Sequence, residues 1–286
     1  MKRFQSRTAL PIVGRAVSAV ALVAFWISVA LAQTAQSAPA KDPAARVSET
    51  QVDNSIQDDP AVEKMLGAYS PKVRELTTLI GTLKGELRKG GVGAGSLGNF
   101  VTDGMLAEAR KKLGKSVVLA VTNGGGLRKS VMSEGDIRIS DIWELLPFEN
   151  TLVRFDLTGE QLLKLLNQVL THRDAQSGAR IVYRVNTDNK PEMISARLLI
   201  NGREAEIDPQ TTYTIVSIDY LWKRQSTTAA EDGYSVLADA KKIEPLGLLM
   251  RDLMIQYVKD ETAAGRSIRS NLDGRFTPEA GAGVRP

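Results

Sequence analysis

The sequence predicts a mixed-sheet α/β domain, and two observations carry that reading. Between Asp59 and Leu166, helical and strand patterns alternate, whereas from Ile181 to Ile218 one strand pattern follows another across turn residues. Alternation alone suits a doubly wound parallel sheet. A late run of consecutive strands favours an α+β or mixed-sheet α/β arrangement instead.

The elements follow in order. Asp59 offers an N-cap and Pro60 suits a first helical turn, with Val62, Met65, Leu66 and Tyr69 on one face. Leu76 to Leu87 reads as a strand and Gly90 to Gly98 as a glycine-rich turn. A helix runs from about Leu97 to Leu113, buries Phe100, Met105 and Leu106, and stops at Gly114. Val117 to Val121 is an unbroken apolar run, the mark of a strand covered on both faces. Ser140 is positioned to cap a short helix through Leu145, and Thr151 to Leu157 alternates as a strand. Thr158-Gly159-Glu160-Gln161 is a capping box, opening a helix with Leu162, Leu163, Leu165, Leu166 and Val169. Strands are expected at Ile181 to Val185 and Met193 to Ile200. Asn201-Gly202 is a two-residue hairpin turn into Glu204 to Ile207, and Asp208-Pro209 turns the chain into a strand from Tyr213 to Ile218. Gly247 to Tyr257 reads as a final amphipathic helix, and the tail from Glu279 (residues 279–286) as loose.

Charge and composition narrow the function. Lys2, Arg3, Arg7 and Arg15 precede an apolar run from Ala16 to Leu31, and Ala30-Leu31-Ala32 fits a small-x-small cleavage site. The run is short for a spanning helix. Residues 1–32 are therefore expected to be a cleaved export signal, which implies a periplasmic or secreted protein with no membrane attachment after cleavage. Residues 33–57, rich in Ala, Gln, Ser and Asp, read as a disordered leader. The domain proper is expected over residues 58–278. Four basic and no acidic side chains fall in the signal, so the net charge of +4 belongs to it and the remainder is formally neutral. A nucleic-acid partner needs a cationic surplus, and none is present. The chain has no cysteine, hence no disulfide support, but roughly 250 residues suffice for a real core.

The chemistry concentrates in three stretches. Asn123-Gly124-Gly125-Gly126-Leu127-Arg128 flanks three glycines with an amide and a planar cation. Without Cβ atoms, such a turn lets backbone N–H groups and a ligand approach closely. Leu146-Pro147-Phe148-Glu149-Asn150 adds an aromatic face, and Asp232-Gly233-Tyr234 a carboxylate and a phenol. A cation, an amide, a carboxylate and aromatics together suit one polar ring bearing hydroxyls or phosphate. Other chemistries are poorly served. Gly93-Ala94-Gly95-Ser96-Leu97-Gly98 matches the dinucleotide pattern literally. The following strand, however, ends in Thr122-Asn123 and not in an acid, so a tight turn is the better account. His172 is the one histidine, at a helix end beside Arg173 and Asp174, where capping suits it better than metal ligation. No Gly-x-Ser-x-Gly elbow is present for a serine nucleophile.

At these residues the chain resembles the C-terminal domain of the 5′-nucleotidase family. The likeness runs from about Asp59 to Phe276. It includes Leu97-Gly98-Asn99-Phe100-Val101-Thr102-Asp103-Gly104-Met105, Asn123 to Arg128, Gly135-Asp136-Ile137, Leu146 to Asn150, Leu157-Thr158-Gly159 and Asp232-Gly233-Tyr234. That family comprises exported enzymes with an N-terminal dinuclear metallophosphoesterase domain and a C-terminal substrate-binding domain. The resemblance implies a layered α/β/β/α fold. It implies that Asn123 and Arg128 hold a nucleoside, that Phe148 stacks on the base, and that Asp232 binds ribose hydroxyls. Gly125, Asn150, Tyr220 and Tyr234 complete the expected substrate-binding set.

The chain departs from the family in three respects. The motifs that supply metal ligands are absent, so no catalytic residue, metal or cofactor is assigned. The segment Gly91 to Ser96 lacks the arginine that the family often places before Gly98-Asn99. Near Asp232, Ala230-Glu231 stand where the family has glycines, behind a longer segment from Lys223 to Ala229, which leaves Tyr220 or Trp222 as the second aromatic face. Three readings follow: a binding domain that works with a separately encoded metallophosphoesterase domain, a nucleoside- or nucleotide-binding module, or a domain kept for protein–protein contact.

Overall fold

A computed structural model describes residues 49, 53, 56–67, 69–223 and 234–279. The expected signal segment, nearly all of the expected leader, the tail beyond Glu279 and Asp232 lie outside the described residues. In the unit that precedes Pro60, the Ile56 amide donates to the Asp53 carbonyl at 3.1 Å.

From Pro60 onward the chain forms one unit. Helices α1 (Pro60–Gly67) and α2 (Ser70–Leu76) open it. Strands β1 (Leu79–Lys84) and β2 (Leu87–Arg88) lead into α3 (Gly95–Leu113) and β3 (Val117–Thr122). Then come β4 (Val131–Met132), β5 (Gly135–Arg138), α4 (Ile139–Leu145), β6 (Thr151–Thr158) and α5 (Gly159–Thr171). Strands β7 (Ala175–Ser177), β8 (Ala179–Val185), β9 (Pro191–Ile200), β10 (Arg203–Ala205) and β11 (Thr212–Ile218) follow, then the short α6 (Asp219–Lys223). Strand β12 (Lys242–Leu249), α7 (Met250–Ala263), β13 (Ile268–Arg269) and β14 (Phe276–Pro278) complete the described chain.

The class is the mixed-sheet α/β domain that the sequence predicts. The central sheet has the order β12-β6-β11-β3-β7, with β11 and β3 parallel and the other pairs antiparallel. A second sheet, β10-β9-β8-β14, adds a parallel edge at β14, and smaller pairings join β13-β1-β5 and β2-β4. Helix α3 packs on β3, β7 and α7, while α5 lies against β6, β11 and β9 and so touches both larger sheets. Its buried stripe of Leu162, Leu165, Leu166 and Val169 is completely covered. The capping box holds its start, for the Gln161 amide donates to Thr158 Oγ1 at 3.2 Å and the Thr158 amide to Gln161 Oε1 at 2.9 Å. Asn201 and Gly202 both take positive φ, 51° and 77°, as a two-residue hairpin demands.

Several expectations need correction. The segment from Leu76 to Leu87 is not one strand: α2 runs through Leu76, and Gly85 at φ 77° separates β1 from β2. The opening helix is two short helices that bury none of their residues. Helix α4 starts at Ile139, with Ser140 inside its first turn, and the Arg138 amide donates to Asp141 Oδ2 at 2.8 Å. The final helix begins at Met250, because Gly247 belongs to strand β12.

The motif from Leu97 to Met105 proves to be a clasp for the C-terminal segment. A methyl group on Gly98 would overlap the Gly93 carbonyl oxygen and crowd Ala175. Asn99 Nδ2 donates to the Asn271 carbonyl at 2.8 Å. Asp103 accepts from Arg275 Nη1 and Nη2 at 2.9 and 3.0 Å and from Ser177 Oγ at 2.6 Å. Arg275 is buried and also donates to Asp273 and to the Gln176 carbonyl. Burial works to raise the Asp273 carboxyl. The hydrogen bonds and charge of Arg275, then the charge of Arg180, outweigh burial and hold it below the usual range. A carboxylate depressed on folding adds stability above its unfolded value, and that stability is lost as pH falls through the folded value. Arg275→Met leaves two half-buried carboxylates and the buried Gln176 carbonyl without their donor, so it is expected to cost about 2 kcal/mol in urea unfolding and to move the acid-unfolding midpoint to higher pH. An unchanged acid midpoint would show that the clasp carries no charge-dependent stability.

Candidate functional site

The parallel pair β3 and β11 ends on one side of the central sheet, and the antiparallel β6 begins there, with Ile218 opposite Leu152. Chain leaving or entering these strand ends surrounds a cleft of about 340 Å³. Its lining is Asn123, Gly125, Gly126, Arg128, Phe148, Asn150 and Tyr220. A crevice outside the carboxyl ends of strands is where open α/β sheets bind ligands.

Each wall has its own support. The glycine stretch is a tight 3-10 turn, in which the Gly126 amide donates to the Asn123 carbonyl at 3.1 Å and the Leu127 amide to the Gly124 carbonyl at 3.2 Å. Lys89 Nζ reaches the Leu127 carbonyl at 2.9 Å, and the Arg128 amide reaches the Leu145 carbonyl at 2.9 Å, which ties the turn to the end of α4. The Arg128 guanidinium then lies 5.9 Å from the Phe148 ring centroid. Phe148 is 48% exposed, unusual for a large aromatic that merely fills a core. The Asn150 carbonyl accepts from the Met250 amide at 2.9 Å. Asp219, at the start of α6, accepts from the Thr151 amide at 3.0 Å and from Lys223 at 2.7 Å, setting the helix that carries Tyr220. Burial opposes ionisation of Asp219, but these two partners outweigh it and hold the carboxyl below its usual range.

The structure therefore brings together Asn123, Gly125, Arg128, Phe148, Asn150 and Tyr220. Of the two candidate second aromatics, Tyr220 lines the cleft, while Trp222 is half-buried and packs on the core. Tyr234 is a different matter. It is 2% exposed, absent from the cleft lining, and its hydroxyl donates to Asp174 Oδ2 at 2.7 Å. The glycines also differ from expectation. Only Gly125 is exposed: Gly124 is packed against Ala94, and a methyl on Gly126 would stand 3.0 Å from Asn123 Oδ1. The Gly124 N–H points inward to Asp174 Oδ1 at 2.7 Å and not toward a ligand. Among the described residues, Asn123 Oδ1 is buried with no hydrogen-bond partner. That leaves the oxygen available to the cleft that Asn123 lines.

Sequence reasoning missed Asp174, Asp219 and Arg251. Arg251 is buried, stacks its guanidinium 3.5 Å from the Trp143 ring centroid, and donates Nη1 to the Leu146 and Pro147 carbonyls at 3.4 Å each. It thus holds the turn that presents Phe148. Among the described residues, no group of three or more His, Cys, Asp or Glu side chains is placed to hold a metal, and His172 caps the C-terminus of α5.

A mixed α/β domain with an aromatic, cationic cleft at the carboxyl edge of its one parallel central pair is the class these features define. The chain belongs to the 5′-nucleotidase C-terminal domain family, whose model matches residues 75–232. It is 32% identical over 189 residues to the trifunctional nucleotide phosphoesterase protein YfkN of Bacillus subtilis, covering 63% of this chain and 12% of that one. Protein UshA of Yersinia enterocolitica is 26% identical, covering 71% of this chain and 35% of its own length. The chain thus spans well under half the length of the relatives it matches. Among solved structures, the 5′-nucleotidase precursor from Thermus thermophilus superposes with a TM-score of 0.63 at 24% identity, over 77% of this chain and 43% of that one. Haemophilus influenzae NAD nucleotidase gives 0.56 at 18% identity, over 78% and 42%. These superpositions share the fold.

Arg251→Met removes the cation from Trp143 and the donor from two carbonyls. It is expected to cost about 2 kcal/mol in urea unfolding and to change Trp143 fluorescence in the folded protein. A variant with native fluorescence and stability would remove Arg251 from the support of the Phe148 turn.

Proposed function

We propose that this chain is an exported nucleoside- or nucleotide-binding domain of 5′-nucleotidase type, which supplies substrate binding for phosphoester hydrolysis carried out by a separate metallophosphoesterase domain. The observation that carries the reading is the convergence of six residues from three distant stretches on one ligand-sized cleft. On this reading the exposed ring of Phe148 stacks on the base, a contact worth roughly 1–3 kcal/mol. Arg128 offers a planar fork to hydroxyl or phosphate oxygens. Asn123 and Asn150 add amides, and Tyr220 is the second aromatic. Asp232, for the ribose hydroxyls, joins the set from the sequence alone. The names of relatives agree with the ligand class: a nucleotide phosphoesterase, an apyrase and several 5′-nucleotidases. The chain's single histidine and the lack of a metal-ligand cluster among the described residues are why the hydrolytic step is assigned to a partner. Exposed Met65, Leu66, Tyr69 and Val73 on and beside α1 and α2 favour a protein partner over a module that works alone.

Calorimetric titration with adenosine and AMP tests the reading. Binding is expected, with Phe148→Ala and Arg128→Ala each weakening it about tenfold or more. No heat at millimolar ligand would sink the nucleoside assignment. A metallophosphoesterase domain that gains no activity on mixing would sink the partner assignment and leave binding intact.

A further inference from the structure

A turn built of three successive glycines has little to hold itself still. Glycine loses more backbone freedom on ordering than any other residue, so a ligand that must freeze such a turn binds more weakly by that cost. Gly124–Gly126 is nevertheless anchored from behind, by a carboxylate that the functional reading does not use.

That carboxylate is Asp174. Helix α5 ends at Thr171, His172 caps it, and Arg173 at φ 57° turns the chain back. The Asp174 amide donates to the Val169 carbonyl at 2.9 Å, which fixes its backbone, and the side chain is buried. Oδ1 accepts the Gly124 N–H at 2.7 Å, and Oδ2 accepts the Tyr234 O–H at 2.7 Å. The Tyr234 phenol is pushed well above its usual value by burial first and by Asp174 second, so it remains a donor. The His172 ring packs edge-on against Tyr234 at 5.2 Å between centroids. Both bonds involve a charged acceptor at short distance, the stronger kind.

We propose that Asp174 is a positioning residue for the cleft: it clamps the Asn123–Gly126 turn to Tyr234. One side chain thereby sets two stretches in a single register: the turn that lines the cleft and the chain that follows Asp232-Gly233. This rests on the proposed nucleoside-binding role. The gain lies in preorganisation, because the turn is held before ligand arrives. Tyr234 then belongs to the site's scaffold and not to its surface.

Two measurements on the full chain separate this proposal from the binding reading. The first needs no ligand. In ¹H–¹⁵N spectra the Gly124 amide proton is expected far downfield and slow to exchange, and Asp174→Ala and Tyr234→Phe should move it upfield and speed its exchange. The second is calorimetry with adenosine and AMP. Asp174→Ala should lose at least tenfold in affinity, Tyr234→Phe several-fold, and Asp174→Asn should recover part of the loss because its amide oxygen still accepts from Gly124. A merely structural Asp174 would lower the melting temperature yet leave the affinity of the folded protein unchanged, and that result overturns the proposal. So does a Gly124 resonance indifferent to both Asp174→Ala and Tyr234→Phe, where folding is retained. If the wild type binds neither adenosine nor AMP, the binding reading fails, while the Gly124 resonance still decides whether the clamp exists.

Discussion

The parallel pairing of β3 with β11 is the constraint on which the cleft depends. Parallel neighbours deliver their carboxyl ends to the same edge of a sheet. Here those ends release the Asn123 turn and α6 side by side, and the antiparallel β6 brings Asn150 and Thr151 to the same edge. Ser217 reinforces the pair by donating its hydroxyl to the Val121 carbonyl at 3.1 Å. Leu119, Val121, Ile215 and Val216 are completely buried on both faces of the pair, so packing from both sides holds these strands and thereby the cleft.

What hangs on that edge is held by buried and half-buried charge. Asp174 grips the glycine turn, Asp219 grips the start of β6, and Arg251 grips the turn before Phe148. Each uses a charged side chain to satisfy backbone groups in loops, where no ladder exists to pair them. Side chains of this kind cost desolvation, and bonds to charged groups compensate for it better than bonds between neutral ones. Arg275 does similar work between α3 and β7, where it binds the segment before β14 to Asp103 and the Gln176 carbonyl. The fold's apolar core defines the sheets, and its few shielded charges define the loops.

Legibility in the sequence followed the range of the interactions. The capping box at Thr158, the apolar run of β3 and the Asn201-Gly202 hairpin were readable because their causes lie within a few residues. Strand β12 was not: Pro245 and Gly247 break its pattern, and both are tolerated because, among the described residues, it is an edge strand paired only with β6. Strand β7 is Ala-Gln-Ser, polar yet buried, with Gln176 satisfied by its exchange of hydrogen bonds with Ala179. No hydrophobic period could reveal it. At the cleft, residue type and motif suffice to single out Asn123, Arg128, Phe148, Asn150 and Tyr220, which line it. The motif places Tyr234 beside Asp232 and so at the ligand, whereas its hydroxyl donates to a carboxylate 60 positions away. Asp174 stood in plain view beside His172, but a helix end explains a polar residue so well that nothing in the sequence asks for a second partner.

The same geometry bears on why binding and chemistry should be divided between two domains. Phe148 and Tyr220 are 48% and 40% exposed, and Arg128 is exposed as well. Such a surface can stack a base and orient a charged group, but it excludes little water from the bound molecule. Displacement at phosphorus gains most where solvent is kept out and fixed charges replace it. On the proposed reading, the charge that stabilises displacement at phosphorus comes from the metallophosphoesterase domain. This domain's task is then to hold the nucleoside end still while leaving the phosphate end open. An anchored glycine turn serves that task better than a deep pocket, because it fixes one edge of the ligand and leaves the opposite edge for the partner.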